Sequence, residues 1–119
     1  MSESAPPKYV YKIVPARPPS PLPRELPLSE LDAADGFVHL STAQQVPGTL
    51  NLFFKSTASL YILRVPYDKI GAQTKWENTF PHLYGNFGAD EVESFEEFKR
   101  EDGEESWDKA VERQKAWLI

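Results

Sequence analysis

The chain has 119 residues, which suits one domain, and a domain of this size buries about 60% to 70% of the surface that its unfolded chain exposes. Its apolar fraction of 40% can supply a hydrophobic core, so a globular class is favoured over a disordered one. The formal net charge of −5 opposes attraction to phosphate backbones and anionic membranes, so neither nucleic acid nor a membrane is an expected partner. The sequence has no cysteine, which excludes disulfides, thiolate zinc sites and thiol nucleophiles.

The ends of the predicted domain follow from composition. Residues 1–8 contain no apolar run of signal-peptide length and are predicted to be a flexible tail, and residues 9–119 are predicted to form one α+β domain. No stretch of the sequence is long and apolar enough to cross a bilayer. We therefore expect a cytoplasmic protein, with a nuclear location also open.

The first third of the chain predicts a strand, a proline-rich connection and a short helix. Residues 9–14 alternate with a strong apolar face, which is typical of a strand. Residues 15–27 hold six of the eleven prolines and are predicted to be an extended surface connection. Proline fixes its own φ angle and biases the residue before it towards extended conformations. A helix over 28–34 is predicted from a cap at Ser29 and an apolar face of Leu28 and Leu31, and Asp35-Gly36 predicts a turn.

The next segment, GFVHLST, predicts a strand that leads into a helix. Alternation over 37–40 places His39 and Ser41 on the same side of the strand. Ser41 and Thr42 have glutamines three residues later, the spacing of a capping box, so a helix should run towards Phe54, starting late because of Pro47. A helix start of this kind also offers backbone amides to an anion.

The second half predicts further strands and a C-terminal helix. Residues 59–65 and 74–77 read as strands, whereas 78–88 have no period and are predicted to be an ordered loop. The periodicity of 92–98 permits a helix or a strand, and we predict a strand. A helix over 103–118 is predicted from a capping-box spacing and one apolar stripe. The stripe consists of Trp107, Ala110, Val111, Gln114, Trp117 and Leu118.

The two histidines, His39 and His82, are the leading candidates for catalysis, together with Glu77. Imidazole is the side chain best suited to proton transfer near neutral pH, and a carboxylate can steady a cationic transition state. Both histidines have polar or aromatic neighbours in the sequence that are candidates for ligand binding. These neighbours are Ser41, Thr42, Trp76, Asn78 and Tyr84. Simpler structural roles stay open: Ser41 and Thr42 as helix caps, Glu77 as a solvated charge, and Trp76 and Tyr84 as core or lid.

No zinc spacing and no glycine-rich phosphate loop is present, so we predict no metal site.

The motifs YKIV, DGFVHLST with Gln45, and KWENTFPHLYG resemble those of the domain of unknown function 952 family over about residues 9–98. The resemblance implies a fold similar to that of ADP-ribosyltransferases, a small, curved, split sheet of antiparallel or mixed strands with flanking helices. It also implies a nucleotide cleft, with NAD as a substrate and His39 and Ser41 near ribose or phosphate. The VHLS stretch is similar to that of RNA 2′-phosphotransferases, but the arginines of those enzymes have no equivalent motif here.

Three functions follow as hypotheses. The first is an ADP-ribosyltransferase-like enzyme or binder that acts on a nicotinamide dinucleotide or a small phosphorylated nucleoside. The second is a two-histidine phosphoesterase, because such enzymes carry a His-x-Ser or His-x-Thr motif twice and this sequence has HLS and HLY. Tyr84 stands where the second motif would have a small hydroxyl residue. The third is a noncatalytic module that contacts a protein partner through the proline-rich segment or the C-terminal helix.

Overall fold

A computed structural model describes residues 6–119, so residues 1–5 of the predicted tail lie outside the described part. The strands are β1 (Tyr9–Val14), β2 (Val38–His39), β3 (Ser59–Pro66), β4 (Thr74–Glu77), β5 (Phe80–Leu83) and β6 (Ser94–Lys99). The helices are α1 (Glu30–Asp35), α2 (Val46–Phe53) and α3 (Asp108–Arg113), with short 3₁₀ turns at 67–69 and 71–73. The result is a small α+β fold with two antiparallel sheets and few helices.

The first sheet has the strand order β1-β3-β6, and both of its pairings are antiparallel. Its central strand is buried on both faces, which explains why residues 59–65 are apolar almost throughout. Leu60 and Ile62 pack towards α2 and α3 in one core cluster. Leu63 and Val65 face the other way and pack against the second sheet.

The second sheet has the order β2-β5-β4, and its strands are short. Val38 and Leu83 form a cross-strand pair and are buried against the first sheet. Backbone hydrogen bonds between Tyr11 and Ser41, of 2.8 and 2.9 Å, link the two sheets beyond the end of β2. This link places the outward face of β2 beside β1 and α1.

The predicted loop over 78–88 is wrong at its start, because Phe80–Leu83 forms β5. Asn78 and Thr79 connect β4 to β5 with φ values of 53° and 69°, as expected for a two-residue type I′ turn. Threonine is unusual in this left-handed conformation, so the pair Asn-Thr carries a weak hairpin signal. Pro81 further hides the strand in the sequence, because proline lacks an amide hydrogen.

The predicted C-terminal helix is also wrong in extent, since α3 covers Asp108–Arg113 and not 103–118. Gly103 has a φ of 86°, and the amide of Trp107 is bonded to Asn51 Oδ1 at 2.7 Å, so the chain before α3 follows tertiary contacts. After Arg113 the amides of Gln114 and Lys115 bond three residues back, which ends the α-helix in tight turns. The apolar stripe nevertheless docks: Trp107 is fully buried, as predicted.

The strands predicted at 9–14, 59–65, 74–77 and 92–98 are confirmed with small changes at their ends, and residues 15–27 contain neither helix nor strand. The proline-rich segment is held to its own chain by Leu26 N–H to Phe87 O and Ala89 N–H to Pro23 O, both 2.8 Å. Gly88 lies so close that an added Cβ would approach Arg24 O to 2.2 Å. Within residues 6–119, no helix has the length and apolar character needed to cross a membrane.

Candidate functional site

The two histidines are direct cross-strand partners. In the β2–β5 ladder His39 pairs with His82, next to the buried pair of Val38 and Leu83. Because side chains alternate along a strand, both imidazoles lie on the face of the sheet opposite the core. Their ring centroids are 5.6 Å apart, and their side chains are 32% and 15% exposed, respectively. The structure therefore brings together the two segments that the sequence singles out.

His39 is held by Asp32 of α1. Asp32 Oδ1 accepts from His39 Nδ1 at 2.6 Å and from the His39 backbone amide at 3.2 Å. Its Oδ2 accepts from Lys12 Nζ at 2.7 Å, and Lys12 also donates to His39 O at 3.3 Å. Asp32 is 2% exposed. Burial raises the pKa of this carboxyl, but the hydrogen bonds from Lys12 and His39 outweigh burial and leave the pKa below its usual value.

A second carboxylate contacts the other nitrogen of His39. Asp35 Oδ2 lies 3.0 Å from His39 Nε2, and the Asp35 side chain is 40% exposed. The two carboxylates come from one short helix that begins at its cap Ser29, whose Oγ accepts from Asp32 N–H, and ends at Gly36 in the left-handed conformation. The predicted cap and turn are thus confirmed, and they aim both carboxylates at one imidazole.

His82 has a different environment. Its Nδ1 lies 2.6 Å from Glu77 Oε1, and the same oxygen accepts from Tyr84 OH at 2.8 Å. The hydrogen bond from His82, followed by that from Tyr84, lowers the pKa of Glu77 below its usual range. The same bond to Glu77 raises the pKa of the Tyr84 phenol. Among residues 6–119, no protein group is hydrogen-bonded to Nε2 of His82.

An aromatic side chain connects the two histidines. Phe37 stacks on His82 with centroids 4.1 Å apart and an interplanar angle of 20°. Its ring also lies 4.6 Å from that of His39 and 5.2 Å from that of Tyr84. Lys75 Nζ lies 5.1 Å from the centroid of Tyr84, at the outer edge of the same face. We call this surface the histidine face; it comprises Phe37, Asp35, His39, Lys75, Glu77, His82 and Tyr84.

Of the predicted site residues, His39, Glu77, His82 and Tyr84 meet on the histidine face, whereas Trp76 does not. In the β4–β5 register Trp76 pairs with Pro81, so it points to the face opposite His82, where its Nε1 donates to Tyr67 OH at 2.9 Å. Asn78 occupies the hairpin turn, and the left-handed backbone conformation there is sufficient to explain an asparagine at this position.

Ser41 and Thr42 have structural partners in place of the predicted free amides. Ser41 is 5% exposed, and its backbone is engaged by Tyr11. Thr42 Oγ1 accepts from Gln45 N–H at 3.2 Å and Gln45 Oε1 accepts from Thr42 N–H at 3.0 Å, which are the reciprocal bonds predicted for a capping box. They lie in the turn before α2, however, and the helix itself begins after Gln45 without a side-chain cap. Val46 N–H is bonded to Thr42 O as well, and three amides near this helix start are therefore already satisfied.

Sequence reasoning missed Lys12, Asp32, Asp35 and Phe37. Asp35 stands four residues before His39, across the predicted Asp-Gly turn, and this short spacing is a signal that was available. The sequence gives no comparable signal for Lys12 and Asp32, because their contact joins a strand to a helix 20 residues away. Within the described range, no group of three or more His, Asp or Glu side chains is arranged so that it could hold a metal ion.

Comparison with known proteins agrees with the motifs. Residues 22–95 match the family described as protein of unknown function, DUF952. The chain belongs to this family. The matched range contains α1, both histidines and the whole second sheet, so every residue of the histidine face lies within it.

Solved structures similar to this DUF952 chain come from protein CC0527 of Caulobacter crescentus. Its crystal structure superposes with a TM-score of 0.66 at 27% identity, covering 82% of this chain and 91% of that one. Its solution NMR structure gives a TM-score of 0.61 at 28% identity, covering 80% and 88%. No protein with curated annotation matches the chain.

Proposed function

We propose that the protein is an acid–base enzyme that acts on the phosphoester of a small phosphorylated nucleoside, with His82 as general base and His39 as general acid. The observation that carries this proposal is the cross-strand pair of imidazoles in unlike hydrogen-bonding environments. A pair of imidazoles of this kind can supply both a general base and a general acid to one ligand. This favours the two-histidine phosphoesterase over the other two functions expected from the sequence.

The role of base fits His82. Glu77 accepts from its Nδ1, so the neutral ring carries its proton there and has a lone pair on Nε2. Nε2 has no hydrogen-bonding partner among the described residues, and it is therefore free to accept a proton from water. Tyr84 helps to fix Glu77 and so holds the imidazole in this orientation.

The role of acid fits His39. Its Nδ1 lies 2.6 Å from Asp32 Oδ1 and its Nε2 lies 3.0 Å from Asp35 Oδ2, so carboxylate oxygens surround the ring when it carries the proton to be donated. In the reaction, His82 removes a proton from water, the water oxygen bonds to phosphorus, and one phosphorus–oxygen ester bond breaks. His39 gives its Nε2 proton to the departing oxygen, and the two imidazoles regain their starting states by exchange with solvent.

A nucleoside-sized ligand fits the surroundings. Phe37 and Tyr84 offer aromatic surface to a base or sugar, and Lys75 supplies a cation at the edge. An open groove of about 440 Å³ lies between Phe80 and residues 44–53, next to the histidine face and lined by none of its residues; Phe80 shares the outward face of β5 with His82. The size of the groove is in the range of small-molecule sites. NAD and ADP-ribose belong to the same ligand class and are tested with the phosphates.

The first experiment combines binding and turnover. Purified protein is mixed with 2′,3′-cyclic nucleotides, plain nucleotides, NAD and ADP-ribose, and thermal shift and ³¹P NMR are recorded. A ligand at one hundred times its dissociation constant adds roughly 2.7 kcal/mol of stability. We expect opening of the cyclic phosphate, lost in both His39→Gln and His82→Gln and kept in Trp76→Phe, which alters the opposite face. Equal turnover in the wild type and both histidine variants would contradict the proposed roles.

A second candidate, the ADP-ribosyltransferase-like reaction on NAD, is favoured by one observation. Glu77 is a 42% exposed carboxylate beside aromatic rings, a group able to stabilise the cationic sugar carbon that forms when nicotinamide leaves. In this reaction NAD is the substrate and Glu77 is the residue that matters most. Release of nicotinamide, abolished by Glu77→Gln, would select it over phosphoester cleavage.

The third candidate, a protein-interaction module, receives less support from the two surfaces that the sequence suggests. The C-terminal stripe is used internally, with Trp107 and Ala110 buried, and the proline-rich segment is hydrogen-bonded to its own loop at 87–89. A partner contact through the exposed remainder of 15–27 stays a proposal. Binding of a partner that survives both histidine substitutions but not alteration of 15–27 would favour it.

A further inference from the structure

We infer that Asp32, neutralised by Lys12, is a positioning residue that keeps a proton on Nδ1 of His39 and so makes Nε2 the atom that delivers the proton; this rests on the proposed acid role of His39. The two carboxylates that touch the imidazole differ in a way that decides which proton leaves. Asp32 is 2% exposed and contacts Nδ1 at 2.6 Å, whereas Asp35 is 40% exposed and contacts Nε2 at 3.0 Å.

Asp32 is fixed from three directions. Its Oδ1 accepts from both Nδ1 and the backbone amide of His39, which sets the distance and angle of the ring to the carboxylate. Its Oδ2 is occupied by Lys12, and its own amide is bonded to Ser29 Oγ. A hydrogen bond in such a buried setting is stronger than one exposed to water. The Nδ1 proton is therefore retained when the ring becomes neutral.

Lys12 determines that Asp32 remains an acceptor. Its side chain is 12% exposed, and its ammonium group contacts the oxygen of Asp32 that does not face the ring. A buried carboxylate without a cation would take up a proton more readily, and a protonated Asp32 would compete with His39 as a donor. The triad thus runs from a cation on β1, through a buried carboxylate on α1, to an imidazole on β2, whose Nε2 faces the exposed carboxylate of Asp35.

Asp35 has the opposite properties. Its side chain is exposed, and an exposed ion pair of this kind contributes little to stability. It can leave Nε2 without loss of buried contacts. Asp32 and Asp35 therefore form a matched pair, because both touch the same imidazole and both can be changed to asparagine with little change of shape.

The test is the tautomer of neutral His39, read from long-range ¹H–¹⁵N correlation spectra of labelled protein at a pH where the ring is neutral. The other charged or titratable groups near it are Lys12, Asp32 and Asp35, then His82 with Glu77, Tyr84 and Lys75, and they are present in every sample. We expect the Nδ1–H tautomer in the wild type and in Asp35→Asn, and its loss in favour of Nε2–H or a mixture in Asp32→Asn.

A wild-type spectrum with the proton on Nε2 would overturn the inference, and so would an unchanged Nδ1–H tautomer in a folded Asp32→Asn protein. Should Asp32→Asn fail to fold, the wild-type and Asp35→Asn spectra still decide. No substrate is involved, so these results are independent of whether a phosphoester is cleaved. The Nδ1–H tautomer of His39 together with no turnover of any phosphoester would contradict the proposed function and leave this inference intact.

Discussion

His39 and His82 face each other across the β2–β5 ladder with their ring centroids 5.6 Å apart, and each Nδ1 lies 2.6 Å from a carboxylate. The carboxylates come from different places: Asp32 from a helix that packs beside the sheet, and Glu77 from the neighbouring strand. Each of the two neighbouring imidazoles is therefore oriented by its own carboxylate. This relationship is what separates the pair from two ordinary surface histidines.

Replacing Asp35 with asparagine should increase affinity for inorganic phosphate. Asp35 holds a negative charge 3.0 Å from His39 Nε2, in the position that an anionic ligand would take. Removing that charge while keeping the shape eliminates a competitor, and we expect roughly tenfold tighter binding, equivalent to about 1.4 kcal/mol. Chemical-shift titration of the two histidine side chains measures it. Asp90→Asn, on a distant loop, serves as the control, and equal affinity in all three proteins would contradict this role.

Replacing Lys12 with methionine should destabilise the protein by about 3 kcal/mol, because a buried carboxylate loses its cation. Lys12 and Asp32 are 12% and 2% exposed. The double variant with Asp32→Asn should cost about 1 to 3 kcal/mol less than the sum of the two single changes. Urea denaturation gives all three values. Lys115→Met, from an exposed pair with Glu112, should change stability by less than about 0.5 kcal/mol.

Replacing Glu77 with glutamine should lower the pKa of Tyr84. The phenol donates to Glu77 Oε1, and ionising it would place two negative charges together, which raises its pKa above 10.0. Without the charge on Glu77, the Tyr84 signal should titrate at lower pH than in the wild type. Carbon-13 NMR of labelled tyrosine rings follows each phenol separately, and Tyr61 provides an internal reference. A Tyr84 titration that does not move would mean that Glu77 lies away from the histidine face in solution.

Local sequence pattern was sufficient to predict every strand except β5 and the meeting of the two histidine segments, but it could not predict the long-range charge pairing. The helix at 28–34 was predicted to turn Leu28 and Leu31 inward, yet they are 47% and 60% exposed, and the buried residue is Asp32. Burying a carboxylate is unfavourable in isolation, so apolar periodicity cannot suggest it. Lys12 and the backbone of β2 compensate the charge, and both reach it through the tertiary fold.

The C-terminal segment shows the same limit in another form. Its apolar stripe was correctly predicted to dock, because spacing alone reports which residues can share a face. The length of the helix was not correctly predicted, because the backbone amide of Trp107 donates to Asn51 Oδ1 and the indole Nε1 of Trp107 donates to Phe54 O at 2.9 Å. Burying this indole in the core sets the path of the chain before α3. Competition between local helix formation and a tertiary anchor cannot be read from periodicity.

Replacing Thr42 with alanine should separate its structural role from ligand binding. Its hydroxyl accepts from Gln45 N–H in the capping box, and Gln45 in turn donates from Nε2 to Thr79 O at 2.7 Å, which ties the start of α2 to the hairpin. Loss of one such hydrogen bond costs about 1 kcal/mol, so urea denaturation should show that decrease. Ligand affinity, measured with the nucleotide that gives the largest thermal shift, should be unchanged. A large loss of affinity at unchanged stability would instead show that Thr42 contacts the ligand. The amides at the start of α2 would then be candidates for ligand binding as well.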